Sequence, residues 1–107
     1  MDLHRLAELR SIAFHRQVME RARVEPAVVE RARARVRGWI ERGEPHPVYT
    51  RDWSRILELP REAMEARVVE DSESMRALRQ VTPFAGALPP KERWAIWRQY
   101  AALRSEA

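Results

Sequence analysis

Three histidines have the widest chemical reach in this sequence, and their spacing decides what they can do. His4 and His15 are eleven residues apart; on one helix they point the same way but stand ~16 Å from each other. They cannot share a metal ion. His46 sits between Pro45 and Pro47, and no HExxH or comparable ligand spacing occurs. No metal site and no cofactor are expected. The absence of cysteine removes disulfides, zinc–thiolate sites and thiol nucleophiles. Glycine occurs only at positions 38, 43 and 86, so no glycine-rich loop can cradle a phosphate. No serine has both a histidine and an acid at a convincing triad spacing. An ordinary enzyme is therefore not expected.

One stretch still carries a catalytic pattern: RSIAFH, Arg10 to His15. Its Arg-four-residues-His spacing resembles the motif of the HEPN family of small helical ribonucleases. The resemblance implies a homodimer that brings paired Arg10 and His15 together at an RNA-cleaving site. There His would act as general acid or base and Arg would stabilise phosphate charge. Ser11 stands where the family usually has an amide or acid, and the motif falls in the first helix. The other reading makes Arg10 and His15 surface residues of that helix.

The elements that must position these residues are helical throughout. Asp2 can cap a first helix from about Leu3 to Arg23, which "VEP" ends. Pro26 fits the first turn of a second helix reaching about Arg42, with Gly43 as its C-terminal cap. GEPHPVYT, residues 43–50, is expected as a loop. Thr50 or Asp52 then caps a short helix, Pro60 opens another, and Asp71 or Ser72 caps a third. Pro90 opens the last, KERWAIWRQYAAL. No segment alternates with a strand period. The expected fold is all-α: a single domain over residues 1–107, a compact bundle of five to six helices, two long N-terminal ones followed by shorter ones.

Charge and apolar faces point to interaction surfaces. Nineteen of the twenty basic residues are arginine and Glu outnumbers Asp, a skew that fits a GC-rich bacterial genome. Residues 76–104 hold six bases against Glu92 alone. In helix two, Val29, Ala32, Val36, Trp39 and Ile40 share a face, with Arg31, Arg35 and Arg42 almost opposite as a possible basic face for nucleic acid. Pro26 replaces the glycine-type turn of a helix-turn-helix, so a basic DNA-binding regulator is an alternative and not the favoured reading. Helix one is apolar on two sides: Leu3, Ala7, Phe14 and Val18 form one stripe, and Leu9, Ile12 and Met19 another, interleaved with Arg5, Arg16 and Arg23. It is either central in its bundle or covered on one side by another chain. Trp94 and Trp97 share one line of the last helix, beside Ile96, Tyr100 and Leu103. Trp, Tyr and Arg dominate binding hot spots. Nothing approaches the apolar length of a membrane span and no signal core opens the chain, so a cytoplasmic location without membrane contact is expected.

The punctuation between the last two helices is the most specific feature. In LRQVTPFAGALPPKERW, residues 78–94, Pro83 pushes Thr82 out of the helical region and Gly86 allows a positive φ. Phe84 is held between two helix ends, either plugged into the core near Trp94 and Trp97 or presented outward as an anchor. The segment resembles that of a group of short bacterial proteins with an LRQ-(S/T)PFAG-x-L-x-P-x-ERW pattern, some suspected to be antitoxin-like. The resemblance implies that Pro83, Phe84, Gly86, Arg93 and Trp94 form a structural or docking signature. The function expected from it is a protein-binding module, the antitoxin of a toxin–antitoxin pair that occludes its partner. The expected contact residues are Leu9, Ile12, Arg16, Met19, Phe84, Arg93, Trp94 and Trp97.

Overall fold

A computed structural model describes residues 2–106. Among them run six helices: α1 (Leu3–Val24), α2 (Ala27–Arg42), α3 (Pro47–Leu57), α4 (Arg61–Val68), α5 (Glu73–Arg79) and α6 (Pro90–Glu106). The all-α expectation holds, and local chemistry explains most boundaries. The Asp2 carboxylate accepts from the His4 N–H at the start of α1. Gly43 ends α2 in the left-handed conformation at φ 71°, which costs glycine no Cβ clash. Ser72 Oγ accepts from the Met75 N–H at the start of α5.

Two boundaries differ from expectation. The second half of the expected 43–50 loop is already helix, because Pro47 takes the first helical position and the His46 side chain accepts from the Val48 N–H. His46 is therefore the cap, and Thr50 lies inside α3, its hydroxyl donating to the Pro47 carbonyl at 3.0 Å. The last helix is also not short: α6 has 17 residues against 16 in α2.

α1 packs against α2, α4 and α6, which cover most of its second apolar side and Val18 of the first, while Leu3 and Ala7 stay exposed. Leu6, Ile12, Val18 and Met19 are buried. In α2 the buried line is Val28, Ala32 and Val36, while Ile40 in the last turn stays exposed. Val18, Val28, Trp53, Leu57, Met75, Phe84 and Leu88 belong to one continuous core. Trp53 is fully enclosed, and its indole N–H donates to the Leu78 carbonyl at 3.0 Å, pairing the one polar atom that burial would otherwise penalise.

Arginines bind the elements to one another. Arg33 donates through Nε and Nη2 to the Leu57 carbonyl at the end of α3, at 3.1 and 2.8 Å. Arg79 donates through Nη1 to the Val68 and Glu70 carbonyls at the end of α4, at 3.0 and 2.8 Å. Each places a cation where unpaired carbonyls of a helix C-terminus need donors. Carboxylate pairs do the same across α1: Arg23 to Glu65 of α4, and Arg21 with Gln17 to Glu92 of α6.

Candidate docking surface

The surface is built from the loop that aims α6. Phe84 is 1% exposed and fills the interior, packing edge-to-face on Trp53 and on His15, with ring centroids 6.0 and 6.2 Å away. The expected neighbours, Trp94 and Trp97, are not its contacts. The Thr82 hydroxyl accepts from the Phe84 N–H at 3.1 Å and meets His15 Nε2 at 2.8 Å. His15 Nδ1 lies 2.7 Å from the Ser11 carbonyl. The carbonyl can only accept, so Nδ1 carries the proton and Nε2 accepts from Thr82. The chain of bonds then runs from the Phe84 amide to α1 with every group in one consistent role.

The turn itself closes through the Ala87 N–H donating to the Phe84 carbonyl at 3.0 Å, with Gly86 at φ 82° in its third position. That is the position where a type II turn requires glycine. From the other side, Arg35 Nη1 donates to the Pro83 and Ala85 carbonyls at 3.2 and 2.8 Å. The loop is thus held by α1 and α2 together, and α6 leaves it in a fixed direction.

On α6, Ile96 is buried and Tyr100 packs against the core, so these two hold the helix down. Trp94 is 59% exposed and Trp97 45% exposed, touching each other edge-to-face at 5.6 Å. The guanidinium of Arg10 on α1 stands 5.9 Å from the Trp97 ring centroid, within cation–π range. Between α1 and α6 opens a cleft of about 310 Å³ lined by Arg10, Ser11, Phe14, His15, Arg79, Thr82, Arg93, Ile96 and Trp97, among others. A smaller one of about 250 Å³ continues from Arg93 and Trp97 to Trp94 and Pro90.

The expected contact residues divide sharply. Arg93, Trp94 and Trp97 share this surface, and Arg16 is exposed on α1. Ile12, Met19 and Phe84 are buried and Leu9 is half-buried, because neighbouring helices and the loop core cover them. Ile12, Met19 and Phe84 offer no surface to another chain. His15 is likewise no surface residue: it is 1% exposed, both ring nitrogens are engaged, and burial lowers its pKa to about 4. In this single chain the imidazole is neutral and enclosed, with no free ring nitrogen beside Arg10. On α2, Arg31 pairs with Glu25 at 3.7 Å, Arg42 with Glu44 at 3.6 Å, and Arg35 holds the loop. That stripe is internally matched. Sequence reasoning missed Arg79 and Thr82; a buried arginine looks like any other arginine in a sequence this rich in them.

No protein-family model, curated protein or solved structure matches this chain. Among the described residues no three His, Asp or Glu side chains gather as metal ligands. No helix among them is long and apolar enough to cross a membrane.

Proposed function

We propose that the chain is a protein-binding module whose docking surface is the Trp94–Trp97 face of α6, rimmed by Arg10 and Arg93. The observation that carries this reading is the exposure of two adjacent tryptophans on a helix already anchored by Ile96, Tyr100 and the Arg21–Glu92 pair. A tryptophan ring buries ~150–250 Å² when covered, and Trp and Arg are the side chains that dominate interface energetics. Left in water, this area gains nothing for the fold.

The partner is acidic where it meets the rim. Residues 76–104 carry six bases and Glu92 alone, and Glu92 is engaged by Arg21 and Gln17. A second copy of the chain docking through the same face would set Arg10 and Arg93 against like charges, which disfavours a homodimer here and favours a different protein. The arginine stripe of α2 is matched internally, which argues against nucleic acid as the main partner. The narrower reading, an antitoxin that neutralises a toxin by occlusion, draws on the resemblance of the 78–94 segment; the exposed α6 face gives it a surface with which to occlude.

The test is purification of the tagged protein from its native host beside a Trp94→Ala/Trp97→Ala variant. A stoichiometric partner with the wild type, toxic when expressed alone and lost from the variant at unchanged thermal stability, is expected. A partner that stays with the variant would refute the surface, and a non-toxic partner would refute the antitoxin reading alone.

A further inference from the structure

Arg79 is 4% exposed and is not paired with any carboxylate among the described residues. Its Nη1 corner caps α4, but the Nε–H is enclosed without an acceptor, and Nη2 makes no hydrogen bond among the described residues. The unused Nε/Nη2 edge is the one that takes a carboxylate side-on elsewhere in this chain, where Arg23 holds Glu65 through Nε and Nη2 at 3.1 and 2.9 Å.

The acids around Arg79 are all committed. Glu8 is shared by Arg5 and Arg76, Glu70 is held by Arg67 and Ser72, and Asp71 by Arg5. Burial pulls the Arg79 pKa below the ordinary guanidinium value, consistent with a charge that is enclosed and poorly compensated. Arg79 lines two clefts: one with Glu8 and Arg76, and the one between α1 and α6, which it shares with Arg10 and Arg93, the hydroxyl-bearing Ser11 and Thr82, and no carboxylate. Three cations converge on one opening, and a buried charge left without a partner is costly.

Resting on the docking reading above, we infer that this cleft is an acceptor for a carboxylate side chain of the docked partner, an Asp or Glu that enters beside Trp97 and reaches Arg79 while Arg10 and Arg93 close over it. The cleft and the tryptophan face share Arg93 and Trp97, so one docked segment covers the rings and supplies the anion. The site makes the partner's acid part of the recognition instead of a general attraction, because bidentate guanidinium pairing is directional.

The test uses the full chain labelled with ¹⁵N, titrated at constant ionic strength with N-acetyl-glutamate N-methylamide, inorganic phosphate or chloride. The Arg79, Arg10 and Arg93 side-chain Nε–H signals are followed. Saturable movement with the carboxylate probe, with or without a response to phosphate, is the expected result. Arg10→Gln and Arg93→Gln alter exposed or half-exposed side chains and keep the fold; each is expected to weaken the probe about tenfold. Signals that drift only as they do with chloride, or saturate with phosphate and not the carboxylate, overturn the inference. Trp94→Ala, outside the lining of the cleft, separates the two readings: it is expected to lose the partner and keep the probe. A silent cleft with an intact partner complex would sink the inference and leave the docking surface standing.

Discussion

His15 and Phe84 decide how the bundle closes around the loop. His15 is held neutral, with a folded pKa of about 4 against an ordinary 6.5, mainly through burial. The unfolded chain therefore takes up the proton first, and the stability from the neutral ring is complete above about pH 6.5 and lost toward pH 4. The full loss corresponds to about 3 kcal/mol. Glu65, Glu70 and Asp71 also sit low, through hydrogen bonds from Arg23, Ser72 and Arg5 respectively, and their contribution fades only below the usual carboxylate range. Denaturant melts between about pH 6.5 and 5 consequently read His15, and His15→Gln is expected to flatten that slope; an unchanged slope would mean the imidazole is not enclosed as described. Phe84→Ala should cost about 3–5 kcal/mol, the usual range for truncating a buried aromatic, measured as a drop in unfolding free energy.

The 82–90 connection is the element on which the function depends. Thr82→Val keeps the shape of the side chain but leaves His15 Nε2 and the Phe84 N–H without their partner; a loss of about 1–3 kcal/mol is expected. Gly86→Ala meets no atom within 4 Å, so its cost is the strain of φ 82° alone, about 1–2 kcal/mol. A larger loss in thermal melts would mean that the turn is held more tightly than these contacts imply. Much of this element was legible in advance. Pro83, Gly86 and Pro90 restrict φ by their covalent structure, so their positions announce the helix end, the turn and the restart. The neighbours of Phe84 were not legible, because they depend on α1 and α3 bringing His15 and Trp53 to the loop, and no local pattern encodes that meeting. The start of α3 was hidden for a similar reason: in sequence, His46 between two prolines reads as loop, and only its side-chain bond to the Val48 N–H makes it a cap.

At the scale of the whole molecule, helix periodicity gave the all-α class, but could not say which apolar faces the chain covers itself. Both sides of α1 are apolar, and α2, α4 and α6 cover Ile12, Val18 and Met19 from within; Leu3 and the α6 tryptophans are equally apolar and stay exposed. The difference lies in the third dimension, where α6 meets α1 along Ile96 and Tyr100 and leaves the adjoining line uncovered. Trp94→Ala should accordingly change stability by no more than about 0.5 kcal/mol, as for other exposed positions, while Trp53→Ala, deep in the core, should cost about 3–5 kcal/mol. Comparable losses in the two variants would show that α6 is misread as an open face. The central claim is that a partner covers the exposed parts of Trp94 and Trp97. The most direct measurement labels the four tryptophans with 5-fluorotryptophan and records their ¹⁹F resonances, with a soluble paramagnetic quencher, in the free protein and in the complex isolated from its host. Trp94 and Trp97 are expected to be quenched when free and protected in the complex, while Trp53 is protected in both. Resonances of Trp94 and Trp97 that remain fully quenched in the complex would contradict that claim.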